Sequence, residues 1–191
     1  KTVEIARKYA DKIIVIKERG IARARNIGAK ATRGKFLLFL DADAIPATNL
    51  LSEFEKSFMK KNVVGVTCPL LPLEATLQNV WLYNLYNFHL ELTVKLKRPH
   101  IAGACVAYRR AEFQKAGGFD ETRVTHEDFA LSEKIAKFGR ILINKNTAAL
   151  HSTRRIKKWG VLRSMGKYSK LHLQYLLRRK NFDYKDYPPI R

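Results

Sequence analysis

Two carboxylates follow directly after an apolar run in the first quarter of the chain. Asp41 and Asp43 come after five unbroken apolar residues, Phe36 to Leu40. This run, with Gly34–Lys35 before it and Pro46 after it, predicts a fully buried strand of a parallel sheet, and ligands bind beyond the carboxyl ends of such strands. Two carboxylates there repel each other unless a cation lies between them, and a hard divalent cation that also binds phosphate oxygens would do so. The alternative is that Asp41 ends the strand and Asp43 caps the helix after Pro46.

Alternating helices and strands must position these carboxylates. The apolar pattern predicts a helix from Thr2 to Ala10, a strand at Lys12–Ile16 and a helix from Arg23 to Thr32 before the apolar run. This order predicts a parallel sheet with right-handed crossovers. Because a doubly wound domain rarely begins with a helix, we expect a first strand and its loop to precede Lys1.

The remaining sequence continues the alternation. The predicted elements are a helix over 48–61, a strand over 63–68, a helix over 74–96, a strand over 101–109, helices over 110–116 and 125–138, strands over 140–144 and 147–150, and a basic helix over 159–178. The helix over 74–96 is apolar on two sides, and we expect neighbouring elements to bury it; the alternative is a surface for lipid or an acceptor. The stripe on one of its sides comprises Leu77, Trp81, Leu85, Phe88 and Leu92.

The net charge of +20 is the unusual feature of the composition. Such a charge indicates a polyanionic partner, which can be nucleic acid, an anionic membrane or a phosphorylated substrate. From His151 to Phe182 the chain has ten Lys or Arg residues and no Asp or Glu, so half of the net charge lies in the last quarter. The sequence has no run of about 18 apolar residues of the kind that predicts a membrane-spanning helix.

Three segments, in this order, resemble a known family. "RARNIGAKATRGKFLLFLDADA" is followed by "GACVAYRRAEFQKAGGFDE" and then by "HEDFALSEKIAKFGR". Over about Ile13 to His151 the chain resembles the family 2 glycosyltransferases of the GT-A fold. The resemblance implies an α/β, Rossmann-like fold with a mostly parallel central sheet flanked by helices over residues 1–151, followed by a basic C-terminal helix and tail over 152–191. Members of the family usually open with a strand and loop that hold the nucleobase, and we expect that part to precede Lys1.

The resemblance also implies the activity and a metal site. Such enzymes transfer a sugar from a nucleotide diphosphate, here a UDP- or GDP-sugar, to a lipid-linked or glycan acceptor with inversion at the anomeric carbon. Asp43 would bind Mg²⁺ or Mn²⁺ directly, and Asp41 would bind the ion through water or hold the ribose. His151, at the end of a predicted strand, would be a further metal ligand, although a lone histidine is more often structural.

Other residues would line the donor and the acceptor. Arg23, Arg25 and Asn26 correspond to residues beside the nucleotide; for the two arginines a solvated helix face is an equal alternative. Gly103 would admit the donor close to the backbone, and Gly117–Gly118 would do so on the acceptor side.

Glu127 and Asp128 resemble the acidic pair that performs catalysis in the family. Asp128 would be the general base that takes the proton from the acceptor hydroxyl, which suits a carboxylate whose pKa is raised by partial burial. If the acceptor is a lipid phosphate, Asp128 would orient it more than deprotonate it. The alternative is a capping box of Thr125 and Asp128 at the start of a helix. His126 is predicted to face outward, and Asp120 to fix its own loop.

The basic segment over 154–180 is predicted to lie on an anionic membrane, at the cytoplasmic face, with Trp159 and Tyr168 at headgroup level. The alternative is a solvated charged face. Two competing functions are a nucleic-acid-binding protein, suggested by the charge, and a nucleotidyltransferase on a similar sheet, which would release pyrophosphate. Nucleic acid is the less favoured partner because the aromatic residues cluster in the apolar helix and the sequence has no recognised nucleic-acid motif.

Overall fold

The computed structural model describes residues 2–177. The helices are α1 (Thr2–Ala6), α2 (Ile21–Ala31), α3 (Leu50–Met59), α4 (Leu77–Lys95), α5 (Arg110–Lys115), α6 (Glu127–Ile135), α7 (Arg154–Trp159) and α8 (Val161–Leu176). The strands are β1 (Phe36–Leu40), β2 (Ala44–Pro46), β3 (Val63–Thr67), β4 (Leu70–Pro72), β5 (Cys105–Arg109), β6 (Arg140–Ile143) and β7 (Ala149–His151). The predicted alternation of helices and strands is therefore observed for most of the described chain.

The central sheet has the strand order β1-β5-β3-β6. Strand β5 is antiparallel to both β1 and β3, whereas β3 and β6 are parallel. Strands β1, β3 and β6 thus share one direction, and the α/β prediction is confirmed with one reversed strand in the middle of the sheet. Helices cover both faces, since alternate residues of β5 enter different core clusters, with Val106 and Tyr108 in one and Cys105 and Ala107 in the other.

The prediction that β1 is buried on both faces is wrong. Leu37 and Phe39 are buried in the core, but Phe36, Leu38 and Leu40 on the other face are 36–39% exposed. Among the described strands β1 pairs only with β5, so it forms an edge of the sheet. An apolar run therefore marks the strand without revealing that one face remains partly open.

A second, smaller sheet lies beyond the end of β1 and has the order β2-β7-β4. Strand β2 is antiparallel to β7, with Ala44 opposite His151, and β4 is parallel to β7. The sequence did not predict β2 and β4, because each has three residues and ends at a proline, Pro46 or Pro72. This sheet joins segments more than 70 residues apart and brings the residues after β1 next to β7.

Two predicted elements near the N-terminus differ from the structure. The segment Lys12–Ile16 is not a strand, and Ile14 and Val15 are 40% and 74% exposed. Within the described chain no strand pairs with this segment, so its apolar residues have no sheet to join. The first helix ends at Ala6 rather than Ala10, and of the strand predicted over 101–109 only Cys105–Arg109 forms.

Helix α4 is buried on one of its two apolar sides, and not on both as predicted. Tyr83 and Leu90 are buried against the core. The prediction that the opposite side is buried is wrong, because its five apolar residues are 44–91% exposed; they are Leu77, Trp81, Leu85, Phe88 and Leu92. We call these five residues the α4 stripe. None of the described helices is long and apolar enough to cross a membrane.

The basic segment forms two helices, α7 and α8, separated at Gly160, which has a φ of +76°. That backbone conformation suits glycine because a side chain there is strained. Helix α8 packs on α6 through Tyr175, whose hydroxyl donates to Glu133 Oε2 at 3.0 Å. The end of the predicted helix at Arg178, and the tail with Pro188–Pro189, lie outside the described residues.

Candidate active site

Arg25, on α2, lies between two of the predicted acidic positions. Its Nη2 donates to Asp41 Oδ1 and its Nη1 to Glu127 Oε1, each at 2.8 Å. The Arg25 side chain is 13% exposed and that of Glu127 7%. An arginine of the protein itself therefore supplies part of the positive charge that offsets the repulsion between these carboxylates. Charge-assisted bonds of this kind are strong, and loss of one partner would leave a buried charge unpaired.

Gly103 makes room for this arginine and also holds the second acid of the Glu127–Asp128 pair. A Cβ at Gly103 would lie 2.5 Å from the Arg25 guanidinium, so a side chain there would displace Arg25. The Gly103 N–H donates to Asp128 Oδ2 at 2.7 Å, and the Phe129 N–H donates to Oδ1 at 2.8 Å. The backbone thereby fixes the orientation of the Asp128 carboxylate.

Burial dominates the electrostatics of the Glu127–Asp128 pair. Burial raises the pKa of Asp128 above its usual range, and the Arg25 charge opposes that rise. Burial also raises the pKa of Glu127 to about 7, with the Asp128 charge adding to the rise and the Arg25 charge opposing it. Both acids thus hold a proton more readily than an exposed carboxylate does, which is the property of a general base.

The start of α6 does not have the geometry of a capping box. The helix begins at Glu127, after His126 in the left-handed conformation with a φ of 57°. The described side-chain bond of Thr125 Oγ1 is to His126 Nδ1 at 3.1 Å, not to the Asp128 N–H. The prediction that His126 faces outward is also wrong, because its ring stacks on Tyr175 at a centroid distance of 5.2 Å.

Asp41, Asp43 and His151 form a group that can hold a metal ion. Each offers one ligand atom, and these atoms all lie within 4.8 Å of one another. The pairing of Ala44 with His151 in the smaller sheet brings His151 to the two carboxylates, and Asp43 Oδ1 lies 3.9 Å from His151 Nε2. Two carboxylate oxygens and one imidazole nitrogen suit Mn²⁺, and carboxylates also suit Mg²⁺. The donor set therefore fits the cation that the sequence analysis predicts.

Two residues that the sequence analysis did not select complete this group. The Tyr83 hydroxyl, on the buried side of α4, lies 2.9 Å from His151 Nδ1 and so leaves Nε2 directed at Asp43. Outer partners of this kind fix the ring of a metal-binding histidine. Arg154 Nη2, at the start of α7, lies 3.0 Å from Asp43 Oδ2. The position of Arg154, three residues after the predicted ligand His151, could have indicated that it lies near the site. Tyr83 gave no such indication, because the sequence shows it only as one residue of an apolar helix.

Asn26 holds the loop after α5. Its Nδ2 donates to the Phe119 carbonyl at 2.8 Å and to Glu121 Oε1 at 2.9 Å, and its Oδ1 accepts from the Phe119 N–H at 2.9 Å. Gly118, with a φ of +71°, packs so closely that a Cβ there would lie 2.7 Å from Asn26 Oδ1. Gly117 has a φ of +82°. In the structure, Asn26 and these glycines shape the loop. Their contacts with substrate stay predictions.

The structure distinguishes the two arginines of α2. Arg25 faces the site, whereas Arg23 pairs with Glu18 on the outer surface and is 45% exposed in its side chain. Asp120 accepts from Thr122 and Arg123, which confirms that it fixes its own loop.

A cleft of about 390 Å³ opens between α2 and β1 and reaches Arg25. The site therefore joins seven predicted residues: Arg25, Asp41, Asp43, Gly103, Glu127, Asp128 and His151.

Comparison with known proteins gives one match to a family model and several to individual proteins. The model described as glycosyl transferase family 2 matches residues 1–117. The O-antigen chain rhamnosyltransferase WbaN of Salmonella anatum is 29% identical over 152 residues, covering 72% of this chain and 48% of WbaN. The chain thus spans about half the length of this curated relative.

Three solved structures are similar in fold. The mannosyltransferase PcManGT from Pyrobaculum calidifontis, in complex with GDP-Man and Mn²⁺, has a TM-score of 0.63 and 22% identity over 88% of this chain and 49% of its own. GalNAc-T7 with UDP, GalNAc and Mn²⁺ has a TM-score of 0.57 and 19% identity, covering 80% of this chain and 35% of its own. S. aureus TarS has a TM-score of 0.57 and 18% identity, covering 80% of this chain and 47% of its own. At these identities the likeness establishes the fold, which is the predicted one.

Proposed function

The chain belongs to glycosyl transferase family 2, and from this membership we propose that it carries the catalytic domain of a metal-dependent, inverting glycosyltransferase. It moves a sugar from a UDP- or GDP-sugar to a lipid-linked or glycan acceptor. The observation that carries the proposal is Arg25, which binds Asp41 of the metal group and Glu127 of the acidic pair at 2.8 Å each. One guanidinium thereby joins the group that holds the donor to the group that activates the acceptor.

On the donor side, Asp41, Asp43 and His151 would hold Mn²⁺ or Mg²⁺. When bound, the ion would neutralise the charge that grows on the diphosphate as the bond between sugar and phosphate breaks. Tyr83 keeps the His151 ring in orientation. Arg154 is 52% exposed in its side chain and lies beside Asp43, so it can turn to phosphate oxygens of the donor.

On the acceptor side, Asp128 is the general base. Two backbone N–H groups orient its carboxylate, and burial raises its pKa, so that it binds the proton of the acceptor hydroxyl. The hydroxyl oxygen forms its bond to the anomeric carbon on the face opposite the departing diphosphate, which inverts that carbon. Gly103 lies between the donor and acceptor groups, and Asn26 shapes the acceptor-side loop that contains Gly117–Gly118.

The choice of substrates is supported by the proteins to which this chain is similar. The PcManGT structure contains GDP-Man, the GalNAc-T7 structure contains UDP and GalNAc, and both contain Mn²⁺. WbaN is named for the O-antigen chain, which favours a glycan or lipid-linked acceptor.

We also propose that the chain binds peripherally to an anionic membrane at its cytoplasmic face. The α4 stripe is exposed, and α7 and α8 carry the basic residues. His89, at the flank of the α4 stripe, packs on His172 of α8 at a ring distance of 4.9 Å, so the basic helix lies beside the apolar stripe. Exposed apolar residues next to a row of cations are the combination that binds anionic lipid surfaces.

The test of the enzymatic function is release of nucleoside diphosphate from a panel of UDP- and GDP-sugars with Mn²⁺ or Mg²⁺. We expect Asp43→Ala to lose metal-dependent donor binding. Asp128→Asn should keep donor binding and lose about 10²–10⁴-fold in transfer, the usual contribution of a general base. Glu55→Gln, an exposed charge change on α3, is the control and should behave as the unmodified protein.

Three outcomes would contradict the proposal. Normal turnover by Asp128→Asn would exclude Asp128 as the general base. Release of pyrophosphate would identify a nucleotidyltransferase. Tight, salt-sensitive DNA binding without metal-dependent release of nucleoside diphosphate would identify a nucleic-acid-binding protein.

A further inference from the structure

Three histidines meet where α4, the segment before β5 and α8 pack together. His89 lies on α4, His100 in the segment, and His172 on α8. Each offers one ring nitrogen, and these nitrogens all lie within 4.8 Å of one another. His100 is buried, and the other two are half-buried. The three side chains come from parts of the chain up to 83 residues apart, so the fold, and not local spacing, assembles them.

The spacing of the nitrogens is that of metal ligands. His100 Nδ1 and His89 Nε2 are 3.3 Å apart. Bonds of about 2.0–2.1 Å from a tetrahedral zinc ion place two ligand nitrogens about 3.3 Å apart. The third nitrogen, on His172, lies within 4.8 Å of the other two. The His172 ring already stands at a steep angle to both others, at 88° to His89 and 67° to His100.

His100 also has the outer partner that a metal-binding histidine usually has. Its Nε2, on the far side of the ring from His89, lies 3.3 Å from Glu133 Oε1. The other Glu133 oxygen accepts from the Tyr175 hydroxyl at 3.0 Å, and Phe129 stacks on the His100 ring with centroids 5.1 Å apart. A carboxylate on the second ring nitrogen fixes the tautomer and makes the first nitrogen a better ligand. The lone pair of Nδ1 is thereby directed at His89 Nε2.

The chemistry of this group differs from that of the Asp41–Asp43–His151 group. Three imidazoles and no carboxylate oxygen favour zinc over Mg²⁺ or Mn²⁺. Burial lowers the pKa of all three histidines, which keeps their nitrogens unprotonated near neutral pH. The two groups share no residue, so the chain can hold a hard cation at one and a softer cation at the other.

We propose that His89, His100 and His172 bind a zinc ion that fastens the basic helix α8 to α4 and to the segment before β5. Three protein ligands leave a fourth position for water. The segment runs on to Gly103, whose N–H holds Asp128. The ion thus fixes α8 against α4, beside the α4 stripe. It also steadies the segment that leads to Gly103 and so supports Asp128. The role of the ion is structural, and it takes no part in the transfer reaction.

The test is a calorimetric titration of the chelator-treated chain with Zn²⁺ alone, in an Asp43→Ala background that disables the other group. We expect one zinc per chain, and at least tenfold weaker binding in His89→Gln and in His172→Gln. His126→Gln is the matched control, because its ring contacts the same aromatic residues but lies outside the group, and it should bind zinc unchanged. Zinc should raise the melting temperature of the background protein and of the control, but not of the two ligand variants.

Cobalt gives a second readout that does not depend on stability. Co²⁺ in the group should show the intense visible absorption of a tetrahedral site, and this absorption should vanish in both ligand variants. Circular dichroism of the metal-free variants establishes that each is folded. Failure of the background protein to bind zinc, or equal binding by the ligand variants, would overturn the assignment. Neither result bears on release of nucleoside diphosphate, so the two proposals are tested separately.

Discussion

Arg25 sets the charge of the candidate site. Its guanidinium donates to Asp41 on one side and to Glu127 on the other, and its positive charge opposes the rise in the pKa of Asp128 that burial causes. A base that acts in its ionised form loses activity as the pH falls through its pKa. With Asp128 as the proposed base and its pKa raised, we expect the acid limb of kcat/KM to lie above the range of an ordinary aspartate.

Replacement of Arg25 by methionine should move that acid limb to still higher pH. The variant removes the charge that lowers the pKa of Asp128 and of Glu127, so both acids stay protonated over a wider range. The measurement is the pH profile of kcat/KM. Lys30→Met, an exposed residue on the same helix with the same loss of charge, should leave the limb in place. A limb that does not move in folded Arg25→Met would exclude this role for Arg25.

Single residues differ in how far the sequence predicts them. Asp41 and Asp43 follow a recognisable apolar run, and their place beyond a strand end is confirmed. The position of Arg25 was not predictable from its helix, because α2 carries basic residues on both its inner and outer faces. His126 was predicted wrongly because the aromatic partners that bury it, Phe129 and Tyr175, include one from α8, far away in sequence.

Among the elements, α2 and the loop after α5 depend on each other through Asn26. The three hydrogen bonds of this side chain connect the start of the chain to the loop that leads to α6. Two of them satisfy the backbone N–H and carbonyl of Phe119, which is itself buried. The position of the acidic pair thus rests partly on an amide on another helix.

Asn26→Ala should lower the free energy of unfolding by about 2–4 kcal/mol, because each buried polar group left without a partner costs about 1–3 kcal/mol. Urea denaturation measures the change. Ser52→Ala, which removes an exposed hydroxyl on α3, is the control and should stay within about 0.5 kcal/mol of the unmodified protein. A loss below about 1 kcal/mol in Asn26→Ala would mean that the loop holds its conformation without the amide.

Helices and strands were predictable from the sequence where the apolar pattern fitted only one kind of element in one orientation. The run at Val63–Thr67 is buried at every residue and forms a strand, which confirms the strand predicted over 63–68. Lys12–Ile16 has a similar pattern but no strand beside it in the described chain, and pattern alone contains no information about neighbours. For α4, two sides are apolar, so hydropathy could not decide which side packs on the core.

At the scale of the molecule, the charge of the last quarter and the α4 stripe should act together on anionic vesicles. Flotation should show binding to anionic vesicles that salt weakens, and weaker binding to neutral vesicles. A variant with glutamine at Lys157, Lys158 and Arg163 should lose about 100-fold in affinity at low salt, since each cation contributes about 1 kcal/mol. Trp81→Ala with Phe88→Ala should weaken binding to both vesicle types, because it removes apolar area and no charge.

The control for the charge change is Lys60→Gln with Lys61→Gln, two exposed residues after α3. If the basic segment acts locally, this variant should bind as the unmodified protein does. An equal lack of binding to anionic and neutral vesicles would refute membrane association and favour the solvated charged face.

The strand order β1-β5-β3-β6 determines when the sheet can form. Strands β1 and β3 are made before β5 but are not neighbours, since the place between them belongs to β5, about 40 residues further along. A nascent chain that ends before Cys105 therefore has two apolar strands with unpaired inner edges and nothing to join them. Contacts of such long sequence separation fold slowly, and open strand edges aggregate. Assembly of the central sheet on the ribosome thus waits for β5, and until β5 emerges the nascent chain exposes strand edges that favour aggregation.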